Sequence, residues 1–242
     1  MSSKLILCAN HLGNPKDIPN RTIEALKECD IVFCEDTRSC ARLLSSLEIG
    51  KPLKSYFNYN EQKRVDELRI QLKKESVTIA LISEAGMPLI ADPGYRIVNL
   101  FHELGLPIQA IPGPSAFLAV LIMSGFPLQS FSFVGFWPDK KRKQTSIFRE
   151  LQELERPIAF YESPMRILKT LKAISLIIPR CQVFVAKELT KPYETYWRGN
   201  IVEVTAQIEN STLKGEFCVV LYYGERGEEE DSPQVLSPKA SK

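Results

Sequence analysis

Histidine is scarce in this chain, two residues in 242, and the six cysteines form neither a Cys-x-x-Cys pair nor a full Cys/His ligand set at zinc-site spacing. That leaves no zinc site to read. Cys8, Cys29, Cys34, Cys40, Cys181 and Cys218, scattered through apolar-rich segments, suit buried free thiols of a reducing, cytoplasmic compartment better than a disulfide framework. Long apolar runs are missing too. No stretch approaches the ~18 uncharged residues of a membrane span, so no membrane partner is expected. The short run Leu5–Ala9 has neither the h-region length nor the cleavage site of a signal peptide. Neither charge sign is in excess: at a net +2 no global field recruits nucleic acid, and any such attraction has to come from a local patch. Neither G-x-G-x-x-G nor G-x-x-x-x-G-K occurs, so a glycine cradle for phosphate has no support.

What remains is an ordinary globular composition, 44% hydrophobic, sufficient for two domains of roughly 110–130 residues. Short apolar runs alternate with amphipathic periods. Lys4–Ala9, Ile31–Cys34, Val77–Ile82 and Ile108–Ile111 read as strands, and Asn20–Glu28, Ser39–Leu47, Asn60–Lys74 and Tyr95–Leu104 as helices. This βαβ rhythm predicts an α/β domain on a mainly parallel sheet. Pro112-Gly113-Pro114 cannot lie inside a helix or a central strand, which sets a boundary: an N-terminal domain at 1–112 and a second at 113–227. In the second, Ser115 is placed to cap an apolar helix at Ala116–Ser124. Phe131–Phe136, Pro157–Tyr161, Val183–Ala186, Ile201–Val204 and Phe217–Tyr223 read as strands, with helices near Ser146–Leu154 and Pro164–Ile174. Strands that follow one another across turns imply antiparallel pairing, hence a mixed sheet. Residues 228–242, acidic and then rich in Ser, Pro and Lys, read as a disordered tail.

The most informative stretch is Ser83–Tyr95, SEAGMPLIADPGY, where an apolar strand breaks into glycines, prolines and two carboxylates before a helical period resumes. Loops at the carboxyl ends of parallel strands line the ligand crevice of an open α/β sheet. Gly86 and Gly94 would let backbone approach a ligand there. A plain turn-rich connection has the same composition, so the loop counts only together with its neighbours. Glu35-Asp36-Thr37-Arg38 emerges at another strand end, with a helix cap at Asp36 or Thr37 as the competing reading. Asn60-Glu61 opens a third helix. If these starts share one sheet edge, Glu35, Asp36, Arg38, Asn60, Glu61 and Glu84 line a polar cleft. His11 ends the first strand, where a hydrogen-bonding role competes with catalysis, and His102 falls on a helix surface. The basic run Lys140, Lys141, Arg142 and Lys143, behind Trp137-Pro138, reads as a loop that either is solvated or holds phosphates.

SEAGMPLIADPGY, IPGPSA (Ile111–Ala116), GFWP (Gly135–Pro138), FYESPMR (Phe160–Arg166), KELTK (Lys187–Lys191) and KGE (Lys214–Glu216), in that order, closely resemble the tetrapyrrole-methylase-like S-adenosylmethionine enzymes. EDTR at Glu35–Arg38 and NEQ at Asn60–Gln62 are similar to the ribosomal RNA small subunit methyltransferase I type within that superfamily. The resemblance runs from about Leu5 to Tyr223. It implies two α/β domains with the cofactor cleft between them, a homodimer, and metal-free methylation of a cytidine ribose 2′-hydroxyl in 16S ribosomal RNA. It also implies that S-adenosyl-L-methionine is held by Glu84, Ala85, Gly86, Met87, Pro88 and Ile90, with Leu12, Gly13, Ser115, Ala116, Tyr161 and Leu189.

The chain departs from the family pattern at several polar positions. Asn10-His11 stands where Thr-Pro is usual, Glu84-Ala85-Gly86-Met87 where Asp-Ala-Gly-Thr is usual, and Tyr59 and Met165 each where His is usual. Methyl transfer from a sulfonium to a hydroxyl is an in-line displacement that needs positioning and removal of one proton. Glu35, Asp36, Glu61 and Glu188 are the candidate bases, with Arg38 orienting one of them or a substrate phosphate. Two rival readings stay open: a methylase of a tetrapyrrole or another small substrate, and an RNA-binding relative with weakened catalysis. EDTR, NEQ and the basic run speak against the first.

Overall fold

The computed structural model describes residues 3–224 and 234–236. The chain divides after Ser115 into two compact units. In the first, β1 (Lys4–Cys8), β2 (Ile31–Cys34), β3 (Leu53–Ser55), β4 (Thr78–Ile82) and β5 (Ile108–Ile111) form a fully parallel sheet in the order β3-β2-β4-β1-β5. Alternate side chains serve opposite faces. Ile6, Cys8, Val32, Cys34, Ala80 and Ile82 pack with Leu26 of α1 (Asn20–Glu28) and Leu44 of α2 (Thr37–Ser46). Leu5, Phe33, Ile79 and Leu81 pack with Leu68 of α3 (Glu61–Gln71) and with Ile97 and Phe101 of α4 (Tyr95–Glu103). Cover on both faces is why these strands read as unbroken apolar runs. The chain leaves β1 through α1 on one face and leaves β4 through α4 on the other. Because β1 and β4 are neighbours, their carboxyl ends form the topological switch point, where such sheets bind ligands.

The second unit is built on a mixed sheet in the order β11-β9-β8-β10-β7-β6. Its strands are β6 (Ser132–Phe136), β7 (Ile158–Glu162), β8 (Gln182–Lys187), β9 (Thr195–Asn200), β10 (Phe217–Tyr222) and β11 (Gln234–Leu236). β6 and β7 pair in parallel and the other pairs are antiparallel. One face is covered by α5 (Ala116–Ser124), whose Val120 and Leu121 pack with Ala159, Phe184 and Val220. The other carries α6 (Lys141–Leu154), α7 (Ile167–Ile177) and α8 (Ile201–Glu209). All six cysteines are buried free thiols.

Several expectations need correction. Ile201–Val204 is not a strand but the start of α8: the Asn200 side chain caps it by accepting the Val202 N–H, and Ile201, Val204, Thr205 and Ile208 form its buried stripe. The strand lies just before it, at Thr195–Asn200, and the edge strand Leu53–Ser55 is a further addition. The basic run is not a loop, since Lys141, Arg142 and Lys143 occupy the first turn of α6. Within the tail expected to be disordered, Gln234–Leu236 pairs with β9 as a strand. The rest of 228–242 lies outside the described residues.

Candidate functional site

The loops that leave β1 and β4 are bonded to each other at the switch point. The Asn10 side-chain amide donates to the carbonyls of Ser83 (3.1 Å) and Glu84 (3.0 Å). The Asn10 N–H donates to the Gly86 carbonyl at 2.8 Å, and the Gly86 N–H returns a bond to His11 at 3.3 Å. Gly86 has φ 69°, and a Cβ there would stand 3.1 Å from Leu12 Cδ2 and 3.1 Å from the Pro114 carbonyl oxygen. Its need for glycine therefore comes from the meeting of the loops after β1, β4 and β5. Two non-glycine residues of the same segment, Leu89 (φ 69°) and Ala91 (φ 64°), are also left-handed. Such a conformation costs about 1–3 kcal/mol per residue and persists only where the surroundings enforce it. The enforcing contacts include the Ser83 hydroxyl on the Gly86 carbonyl (2.9 Å) and the Glu61 carboxylate on the Gly94 N–H (2.8 Å). Along this loop Glu84, Ala85 and Ile90 are exposed, Met87 is half-buried and Pro88 is buried, while Leu12 and Gly13 are half-buried after β1.

Three carboxylates influence one another at this edge. Burial, then the charges of Glu35 and Glu84, pushes the Asp92 carboxyl up to about 7. Glu35 is raised in turn by burial and by Glu84. Asp92 was not singled out in the sequence, although it is the second acid of SEAGMPLIADPGY. Asp36 has a different environment. It caps α2, accepting the Arg38 N–H at 2.8 Å and the Arg38 guanidinium at 3.0 and 3.2 Å, and Arg38 pulls its carboxyl down to about 2. Glu61 is buried, held by Gly94 and 3.8 Å from the Arg96 guanidinium. Asn60 precedes α3 without capping it; its side-chain oxygen accepts the Phe57 N–H at 2.9 Å instead. Tyr59, in place of the family's histidine, is exposed. The imidazole Nδ1 of His11 is buried with no hydrogen-bond partner among the described residues, and burial lowers its proton affinity.

In the second unit, Glu188 follows β8 in a left-handed conformation (φ 54°). Its carboxylate accepts the Glu216 N–H and the Lys191 ammonium, both at 2.9 Å. Leu189 and Tyr161 pack on the α5 face. Ser115 ends the β5 loop and Ala116 opens α5, both half-buried. Lys140, Lys141, Arg142 and Lys143 are exposed at the start of α6, and none forms an ion pair among the described residues. Met165, the other substituted histidine position, is exposed after β7.

Residues 11–205 match the family described as Tetrapyrrole (Corrin/Porphyrin) Methylases. The ribosomal RNA small subunit methyltransferase I of Thermotoga maritima is 39% identical over 218 residues, 90% of this chain and 97% of that protein. Its namesake in Halalkalibacterium halodurans is 39% identical over 228 residues, 94% of this chain and 78% of that protein. Among solved structures, uroporphyrin-III C-methyl transferase from Thermus thermophilus complexed with S-adenyl homocysteine shares the fold: TM-score 0.60 at 17% identity, over 90% of this chain and 97% of that one. With a family match over most of its length and relatives at this identity across nearly all of it, the chain belongs to the tetrapyrrole methylase family of methyltransferases and stands with its ribosomal RNA small subunit methyltransferase I members.

Proposed function

We propose that this protein is a cytoplasmic, homodimeric enzyme that methylates the ribose 2′-hydroxyl of a cytidine in 16S ribosomal RNA of the small subunit, with S-adenosylmethionine as donor. The observation that carries this reading is the 39% identity to a ribosomal RNA small subunit methyltransferase I over 97% of that protein's length. The carboxyl edge of the first sheet fits the donor chemically. S-adenosylmethionine brings a methyl group on a cationic sulfonium and an ammonium group. Glu35, Glu84 and Asp92 give that edge a negative potential that favours cations, and the buried Nδ1 of His11 has no hydrogen-bond partner among the described residues. Leu12, Gly13, Glu84, Ala85, Gly86, Met87, Pro88 and Ile90 would hold the molecule there.

The chain must also take a proton from an alcohol. Asp36 is committed to its cap, Glu61 to the Gly94 N–H, and Glu188 to Lys191 and Glu216. Glu35 has neither a cap nor an ion pair among the described residues, and burial and Glu84 raise its proton affinity, which makes it a stronger base than an ordinary carboxylate. Lys140, Lys141, Arg142 and Lys143 supply the local positive patch that the modest net charge of +2 otherwise withholds from an RNA substrate. Mapping 2′-O-methylation across the 16S RNA of a strain lacking this protein tests the reading. Loss of the methyl at one cytidine, restored by the gene, is the expected outcome; an unchanged map would dismiss it.

A further inference from the structure

Strand β6 carries one residue too many for its parallel partner. Phe133 pairs with Ala159 and Phe136 with Tyr161, so three steps along β6 match two along β7. Gly135, at φ 69°, adopts the left-handed conformation that accommodates the extra residue. Without the bulge, Phe136 would share the face of Val134, which packs into the core under α6, α7 and α8, and Trp137 would point the other way. The bulge reverses both. Trp137 enters that core at 3% exposure, beside Phe148 and Phe160. Phe136 stands on the α5 face, 58% exposed, its ring 5.8 Å from that of Tyr161 in an edge-on arrangement. It ends a row in which Phe117 stacks on Phe133 at 4.3 Å and Phe133 meets Tyr161 at 5.0 Å.

The first turn of α6 begins a few residues further along the chain and is tied to the segment that follows this ring, because the Gln144 side chain donates to the Pro138 carbonyl at 2.8 Å. That turn presents Lys140, Lys141, Arg142 and Lys143, all exposed and without an ion pair among the described residues. Their charge adds to the positive end of the helix dipole, an arrangement that disfavours the helix and favours a bound anion. An exposed ring followed within a few residues by unpaired cations matches the chemistry of unpaired nucleic acid, which offers base faces for stacking and phosphates for charge. A duplex hides the base faces. Resting on the RNA reading above, we propose that Phe136 is a stacking platform for an unpaired base of the RNA substrate, with the neighbouring phosphates on Lys140, Lys141, Arg142 and Lys143.

The test uses the full chain, a short single-stranded RNA and a duplex of the same sequence, titrated over a range of salt. The parent should prefer the single strand. Phe136→Ala should weaken that binding by roughly fivefold to 150-fold, leave the salt slope as in the parent and barely change duplex binding. Replacing the four cations by Ala should instead flatten the slope. Phe136→Trp should keep the affinity, and its indole emission should be quenched by the single strand above the background of Trp137 and Trp197, each 3% exposed. Parent-like single-strand affinity of Phe136→Ala, with an unchanged melting temperature, would overturn the stacking role while leaving the RNA reading intact. Failure of the parent to bind either RNA would overturn both. An equal loss of S-adenosylmethionine affinity in Phe136→Ala, read by calorimetry, would assign the ring to the cofactor instead and end the proposal.

Discussion

Glu35 and Asp36 are adjacent acids in different environments, and the proposed function gives them opposite duties. Asp36 spends both oxygens on the start of α2, so Asp36→Ala should cost ~1 kcal/mol of stability while leaving methyl transfer per folded molecule nearly intact. Glu35→Gln should do the reverse, cutting single-turnover methylation by about 10²-fold or more with little change in melting temperature. Single-turnover rates and melts on both variants check the pair, and full activity in Glu35→Gln would move the base elsewhere. Asp92 adds a pH dependence. Its carboxyl releases its proton at about 7 when folded and at ~4 when unfolded. Between those values the native state binds the extra proton, so stability falls as pH rises through the window and levels off above it. Asp92→Asn should match the parent near pH 4 and exceed it near pH 8 by about 2 kcal/mol, after discounting for the part of the carboxyl that water reaches. Urea melts at both pH values would show this, and a parent more stable than the variant at pH 8 would contradict it.

Among the elements, the segment joining β4 to α4 concentrates the unusual backbone. Gly86→Val would force a branched residue into φ 69° with its Cβ against Leu12 and Pro114. A loss of about 2 kcal/mol of stability together with weaker S-adenosylmethionine binding is expected. Unchanged melts and unchanged calorimetric affinity would remove this junction from any role. The elements were legible where one rule sufficed. Ile31–Cys34, Ile108–Ile111 and Asn20–Glu28 stand where the apolar pattern put them, because short apolar runs and amphipathic helices leave clear signatures. Ile201–Val204 misled because three of its four residues are β-branched, although the helical stripe through Ile208 and the cap at Asn200 were there over a longer window. Lys141–Lys143 hid a helix start because cations oppose the dipole at that end. At the candidate site, the loops themselves could be read. The division of labour among their acids could not, because Asp92 owes its proton affinity first to burial and then to Glu35, which is distant in sequence, and to Glu84. Phe136 escaped notice for a similar reason: its face is set by a bulge that alternation does not announce.

For the molecule as a whole, a nearly balanced charge supplies no global field, so the proposed reading puts the affinity for RNA on a few local cations. If all four of the cluster contact phosphates, they contribute a salt slope of up to about −3 for a single strand. Fold alone would not choose a substrate, since the same architecture serves uroporphyrin-III C-methyl transferase. The choice of RNA rests on likeness to the ribosomal RNA small subunit methyltransferase I proteins and on the basic patch. The most direct test is to incubate the purified chain with unmethylated 30S subunits and S-adenosylmethionine carrying an isotopically labelled methyl group, then locate the label. Label on the ribose 2′-oxygen of a single cytidine of 16S RNA is the predicted result. Label on a base, or no transfer to 30S subunits alongside transfer to a tetrapyrrole, would contradict it.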